Sequence, residues 1–169
     1  MRKSVFVLAV LGLVGTVASR AEAQFRFGAN VDYGTDTDFG IGARGLFGLG
    51  KTNLPIEGLV TFDYFFPGNS VHYWELSGNA IYKFEIKDSS IKPYAGAGLL
   101  ISHTSVDYNG ICGGLGVDCS ASSTNAGLNL IGGLRFKGGE HFAPFVEGRL
   151  EAHSGSQFVL SAGVFFGKW

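Results

Sequence analysis

Hydrophobic and polar positions alternate residue by residue through most of the chain beyond its first two dozen residues. The last stretch, Gln157–Trp169, shows the pattern most clearly, because every second side chain from Phe158 to Phe166 is apolar and most of those between are small. A two-residue period indicates an extended strand. One apolar face and one crowded, small-residue face are typical of a sheet between lipid and a narrow interior.

The same division recurs along the chain, so that eight segments alternate in this way. Turn-forming runs such as GTDTD, PGNSVH and KGGEHF separate them. An even number of strands closes an antiparallel sheet with both chain ends at one rim. The sequence therefore predicts an all-β fold, an eight-stranded antiparallel transmembrane up-and-down β-barrel with a polar, plugged lumen. The segment from His103 to Thr124 shows no period and is predicted to be a loop.

Charged residues within the strands all fall on the phase opposite the apolar one, which assigns them to the lumen. Five are basic and six are acidic. This near balance predicts mutual pairing, because an unpaired buried charge is strongly destabilising. The predicted lumen charge network consists of Arg26, Asp32, Arg44, Glu57, Asp63, Glu75, Lys83, Arg135, Glu147, Arg149 and Glu151.

Alternation alone also fits a soluble barrel with the faces exchanged, such as a lipocalin-like carrier with an apolar cavity. Two features favour the membrane barrel. The polar phase is rich in Gly, Ser, Asn and Thr and poor in Lys, unlike a surface that faces water. The apolar phase carries small residues near strand middles and aromatic residues near both ends, as expected for rings at the depth of lipid headgroups.

Composition and the N-terminus define the class of protein further. The chain has 169 residues, enough for one domain, and its net charge of −1 gives no indication of nucleic-acid binding. Arg2 and Lys3 precede the apolar run Val5–Ala18, and Ala21-Glu22-Ala23 matches a signal-peptidase pattern. We therefore expect a signal peptide over residues 1–23, and an outer-membrane β-barrel domain over 24–169 that is exported through the periplasm to the bacterial outer membrane. A membrane anchor helix is the alternative, which the shortness of the apolar run disfavours.

Several segments resemble the small outer-membrane β-barrel family that includes OmpA-type and OmpX-type barrels. They are PYAGAGLLI (Pro93–Ile101), GLNLIGGLRF (Gly127–Phe136) and PFVEGRLE (Pro144–Glu151). The resemblance implies outer-membrane lipid around the barrel and insertion by the barrel-assembly machinery, which reads a C-terminal strand like this one. Phe166 and Trp169 occupy the positions of that assembly signal, with Trp where Phe is usual. Eight strands leave little room beyond their own side chains, so we expect no wide pore. We also expect a monomeric protein with a structural or surface-interaction role.

Cys112 and Cys119 lie in the predicted 103–124 loop with six residues between them. An oxidising, exported setting predicts a disulfide between them. A metal site is disfavoured, because two thiols and the imidazole of His103 make an incomplete ligand set. The same loop is the best candidate for contact with an extracellular partner, whose identity the sequence leaves unknown, although a merely solvated loop fits equally well.

Catalytic chemistry has one candidate segment, the HSGS run at 153–156. Small membrane-barrel lipid A deacylases resemble this architecture and use His, Ser and an acid, but the His–Ser spacing differs here and Gln157–Trp169 contains no acid. Asp36 and Asp38 are better explained as turn formers than as Ca²⁺ ligands. We expect no catalytic residues, no cofactor and no metal ligands. A narrow channel for small solutes and a lipid A-modifying enzyme remain the alternatives.

Overall fold

A computed structural model describes residues 25–48, 55–68, 71–107, 120–153 and 155–168. Its regular structure consists of β-strands separated by turns. The predicted signal peptide (1–23), Cys112, Cys119 and Trp169 lie outside the described residues. The strands are β1 Arg26–Gly34, β2 Asp38–Gly48, β3 Ile56–Phe65, β4 Val71–Lys83, β5 Ile91–Asp107, β6 Ser120–Phe136, β7 Phe142–Ala152 and β8 Ser156–Phe166.

Each strand pairs antiparallel with the next one along the chain, and β8 pairs with β1 to close the sheet. The closing register runs from Phe27 opposite Phe166 to Gly34 opposite Val159. Closure leaves the barrel without a free sheet edge at membrane depth, as lipid requires. The predicted eight-stranded up-and-down barrel is therefore confirmed. Within the part of the chain that the structure describes, there is no helix long and apolar enough to span a membrane.

The two faces of the strands point as the alternation predicts. Leu130 is 62% exposed on the outer surface, whereas its neighbour Ile131 is 4% exposed inside the barrel. Aromatic rings also meet on the outer surface near both rims. Tyr33 and Phe39 pack with centroids 5.3 Å apart at the rim where the β1–β2 turn lies, and Phe27 stacks on Phe166 at 5.4 Å near the other rim.

The prediction of a loop from His103 to Thr124 is wrong at both of its ends. β5 continues to Asp107 and β6 begins at Ser120, and these residues pair in register, with His103 opposite Thr124. Outside the membrane both faces of a hairpin meet water, so neither face requires apolar residues at every second position. The Ser, Thr and Val residues of this segment therefore form strands without an alternating apolar pattern. β5 also begins at Ile91, within the polar run EIKDSSIK (85–92), which the sequence predicts to be a turn.

Two apolar clusters lie inside the barrel, at different heights. The larger contains Leu59, and the smaller contains Phe65 on the same strand. Between them along β3 come Thr61 and Asp63, which are both buried. The lumen is therefore layered, with polar side chains between apolar ones. The larger cluster consists of Leu46, Leu59, Ile81, Tyr94, Ile131, Phe145 and Phe165, and the smaller of Phe65, Tyr73 and Val159.

Lumen-facing glycines allow side chains from neighbouring strands to meet. Gly42 lies opposite Asn30 on one side and Asp63 on the other. The Asn30 amide donates a hydrogen bond to Asp63 across this position at 3.0 Å. A Cβ atom at Gly42 would overlap both of these side chains. The glycine therefore provides the space in which strands β1 and β3 are bridged.

Candidate functional site

The barrel interior brings together charged side chains from six of the eight strands. Of the eleven residues in the predicted charge network, nine are buried, and the other two, Arg26 and Lys83, are partly exposed near the rim that carries the chain ends. All eleven side chains point into the barrel because each occupies an inward-facing position of its strand. The buried members are Asp32, Arg44, Glu57, Asp63, Glu75, Arg135, Glu147, Arg149 and Glu151.

The rim opposite the chain ends, where the β1–β2 turn lies, is called the outer rim below. Arg149 on β7 is the centre of the part of the network nearest this rim. Its guanidinium contacts Asp63 at 2.9 Å and Glu75 at 3.2 Å, and its Nε atom lies against the carboxylate of Glu151. All four side chains are essentially inaccessible to water. One cation is thus shared by three carboxylates from three different strands.

Arg44 on β2 forms a second group at a similar depth. Its Nη1 atom donates to Glu147 at 2.7 Å and its Nε atom donates to the side-chain oxygen of Asn30 at 2.9 Å, while Nη2 lies 3.8 Å from Asp32. Asp32 also accepts hydrogen bonds from Ser161 at 2.5 Å and from Asn30 at 2.6 Å. Since Asn30 also bonds to Asp63, the groups around Arg44 and Arg149 form one connected outer network.

Glu57 is the centre of a separate inner network near the opposite rim. Its carboxylate contacts Arg26 at 3.1 Å, Lys83 at 3.1 Å and Arg135 at 2.9 Å. The Arg135 guanidinium also lies over the Tyr94 ring, 4.9 Å from its centroid. Along β3, the buried side chain of Leu59 separates Glu57 from the polar layer above it.

The near balance of charge along the whole chain therefore conceals a local imbalance. In the outer network two arginines face five carboxyl groups, an excess of three acidic groups. In the inner network three basic side chains share one carboxylate, an excess of two basic groups. The sequence gives the inventory of charges, but only the strand register determines which of them meet.

Uncharged side chains that the sequence did not single out complete the outer network. Gln157 donates to Glu151 at 2.6 Å and to Glu75 at 3.1 Å, and the Tyr73 hydroxyl bonds to Glu75. The Tyr94 hydroxyl donates to Glu147 at 2.7 Å. Their inward phase on β4, β5 and β8 was a usable signal, but their residue types alone gave no reason to assign them to the network.

The other predicted features have mixed outcomes. Phe166 lies at the end of β8 and stacks on Phe27, whereas Trp169 and both cysteines are outside the described residues. The side chain of His153 faces the lumen, next to Glu75 and Glu151. Ser156 is exposed, and no serine of the described ranges forms a hydrogen bond with the ring of His153. A nucleophile–base pair is thus not formed within these ranges.

Comparison with known proteins identifies the architecture. The family model described as the outer membrane protein beta-barrel domain matches residues 6–149. The N-terminal β-barrel domain of Pseudomonas aeruginosa OprF is 18% identical, with a TM-score of 0.64 over 86% of this chain and 98% of that one. Neisserial surface protein A is 19% identical, with a TM-score of 0.63 over 87% and 97%.

The attachment invasion locus protein Ail of Yersinia pestis is also similar, at 13% identity and a TM-score of 0.58 over 85% of this chain and 96% of that one. No curated protein matches the sequence. At these identities the likeness to solved structures shows the fold alone, which is that of small outer-membrane barrels.

Proposed function

The chain belongs to the outer membrane protein beta-barrel domain family, and we propose that it acts in the bacterial outer membrane as a closed, non-enzymatic barrel with a structural or surface-interaction role. The same proposal includes export through the periplasm by means of residues 1–23, insertion by the barrel-assembly machinery and a monomeric state. The lumen is central to the proposal, because it is filled with side chains where the lumen of a porin is filled with water.

The filled lumen is the observation that carries the proposal of a closed barrel. Arg149, one of the largest fully buried side chains of the described residues, crosses the interior from β7 to reach Asp63 on β3. The Phe65 and Tyr73 rings pack edge to face at 5.6 Å in the smaller apolar cluster. Ions would have to break several charge-assisted hydrogen bonds and displace apolar side chains to cross, which supports a barrel without a conducting path.

Conductance across a planar lipid bilayer tests this part of the proposal. The purified barrel should give no steady unitary openings, while a wide-bore porin inserted in parallel should give them. The matched variant combines Phe65→Ala with Tyr73→Ala, which removes the smaller apolar cluster and should increase leakage if that cluster helps to close the lumen. Steady openings of the unmodified barrel would instead establish the alternative, a narrow channel for small solutes.

The hairpin formed by β5 and β6 supports the surface-interaction part of the proposal. Both strands have 17 residues, whereas the others have between 9 and 13, so the hairpin projects beyond its neighbours. Where it leaves the barrel, His103 stacks on Trp74 with centroids 5.4 Å apart, and its Nδ1 atom lies 2.8 Å from Thr124 Oγ1. These contacts fix the base of a long hairpin that carries the expected extracellular contact region, whose partner is unknown.

A barrel with a shortened β5–β6 hairpin distinguishes the structural role from the surface-interaction role. In this trimmed barrel, residues 104–123 are replaced by Asn-Gly, a favoured two-residue turn of β-hairpins. A surface-interaction role predicts loss of cell adhesion to immobilised glycans or matrix proteins, with unchanged envelope resistance to detergent. A structural role predicts that the trimmed barrel retains both properties. Loss of detergent resistance with intact adhesion would contradict the proposal that the hairpin is the contact region.

The non-enzymatic part of the proposal is supported by the orientation of His153. Its ring faces the lumen, whereas lipid A would meet only the outer surface of the barrel. Mass spectra of lipid A from cells that overproduce the barrel should be unchanged. Loss of an acyl chain that depends on His153 would establish the alternative, a lipid A-modifying enzyme.

A further inference from the structure

We propose that the outer network binds one divalent transition-metal ion, of the Zn²⁺ type, between Glu75, Glu151 and His153. Each of these side chains offers one ligand atom, and the three atoms lie within 4.8 Å of one another. A tetrahedral Zn²⁺ ion with bonds of about 2.1 Å holds its ligand atoms about 3.4 Å apart. Side-chain rotations that shorten the widest separation by at most about 1.4 Å therefore bring all three atoms to bonding distance.

The chemistry of the set indicates the kind of ion. Two carboxylates and one imidazole, with a position left for water, form a ligand set that zinc sites of proteins use. Ca²⁺ and Mg²⁺ prefer oxygen ligands alone, so the imidazole favours a borderline transition metal.

The state of His153 is one observation that points to a ligand. Both of its ring nitrogens are inaccessible to water, and neither has a hydrogen-bond partner among the described residues. Buried polar groups in proteins nearly always have a partner. An imidazole nitrogen directed towards two carboxylates is satisfied when a metal ion lies between them.

Asn129 provides a second and independent observation. It lies opposite Glu151 on the neighbouring strand, and its side chain is buried, with 1% of the residue exposed. Neither its amide nitrogen nor its carbonyl oxygen has a hydrogen-bond partner within the described ranges. Its carbonyl oxygen is suited to accept a hydrogen bond from a metal-bound water, the outer-shell contact that metal sites usually have.

The charge of the outer network supports the same assignment. Glu75 and Glu151 share Arg149 with Asp63, so one guanidinium serves three carboxylates. The neighbouring cation, Arg44, is engaged by Glu147 and Asp32. A divalent ion offsets two of the three excess acidic groups, while Arg149 keeps its contact with Asp63. His153 lies at the turn between β7 and β8 and is partly exposed, so the three side chains are close to the outer rim.

Calorimetric titration with Zn²⁺ tests the proposal on the folded barrel in detergent micelles after treatment with a chelator. Cys112 and Cys119 are replaced by Ser, so that their thiols cannot bind the ion. We expect one Zn²⁺ per chain, and His153→Gln and Glu151→Gln should each weaken binding by at least about tenfold, because losing even an outer-shell partner costs 10–100-fold. The matched control, His103→Gln, removes an imidazole that stacks on Trp74 outside the three-residue site and should leave the affinity unchanged.

A second measurement keeps the test decisive if a lumen variant fails to fold, which is monitored by heat-modifiable migration in gels. Co²⁺ added to the cysteine-free barrel should produce the visible absorption of a low-coordinate site with a nitrogen ligand, and Zn²⁺ should abolish it. The proposal is overturned if no stoichiometric binding is found, if His153→Gln binds as tightly as the parent, or if Ca²⁺ competes equally with Zn²⁺. Any of these results would leave Glu75, Glu151 and His153 without a role in metal binding.

Discussion

Replacing Arg149 with leucine removes the cation that joins three strands of the barrel. In the folded protein its guanidinium contacts Asp63 at 2.9 Å and Glu75 at 3.2 Å, and it also contacts Glu151. Leucine has no group that can pair with these carboxylates, and the leucine side chain does not reach across the lumen. Arg149→Leu therefore leaves three buried acidic groups without their shared partner.

The expected loss follows from the cost of breaking a buried ion pair, which is about 3–5 kcal/mol when one partner is removed. This corresponds to about two to four orders of magnitude in the unfolding equilibrium constant. With a urea dependence of about 1–3 kcal/mol per M, the unfolding midpoint should fall by about 1 M or more. Adding Glu151→Gln to Arg149→Leu should restore part of this loss, because it removes one of the unpaired charges.

Urea unfolding in lipid vesicles, followed by tryptophan fluorescence and by heat-modifiable migration in gels, measures these free energies. Arg26→Leu is the matched control, since Arg26 lies at the rim and Glu57 keeps Lys83 and Arg135 when it is lost. The control should cost no more than about 1 kcal/mol. An unchanged midpoint for Arg149→Leu, or equal losses for the two variants, would refute the reasoning.

Three further substitutions test other parts of the barrel by the same unfolding measurement. Leu130→Arg places a charge on the outer surface at the middle of β6 and should cost about 2–4 kcal/mol in a bilayer; no loss would contradict the assignment of this face to lipid. Gly42→Ala should cost about 1–3 kcal/mol, because its Cβ overlaps Asn30 and Asp63, and a neutral effect would show that these side chains can move apart. Tyr94→Phe removes the 2.7 Å hydrogen bond to Glu147 and should cost about 1.5–3 kcal/mol, whereas an equally stable variant would mean that the bond contributes nothing.

Alternation of residues predicts the barrel well, because lipid imposes the period on every strand that it touches. In β8, Phe158, Leu160 and Phe166 are exposed while Val159 and Phe165 are buried, as the two-residue period requires. The same reasoning fails where lipid is absent. Beyond the membrane nothing selects apolar residues on one face, so the strand pairing of residues 103–107 with 120–124 left no period in the sequence.

The sequence predicts which side chains face the lumen, but it does not predict how they divide into the outer and inner networks. Inward phase assigns Arg149, Asp63 and Glu57 to the interior without saying which of them are in contact. Arg149 on β7 meets Asp63 on β3 because both side chains cross the interior at the same height. Glu57 lies six positions before Asp63 on the same strand and belongs to a different network. Pairing across a barrel depends on strand tilt and stagger, which no local pattern encodes.

Lipid contact of adjacent methyl groups tests the central claim, that apolar side chains face lipid and the charged network fills the lumen. The barrel is labelled at Leu and Ile methyl groups and placed in lipid that carries a nitroxide at the end of its acyl chains. NMR relaxation should broaden the methyl signals of Leu99 and Leu130, which are 67% and 62% exposed. It should leave the signals of their neighbours Leu100 and Ile131 sharp, since these are 2% and 4% exposed. Equal broadening of each neighbouring pair, or the reverse pattern, would contradict the account.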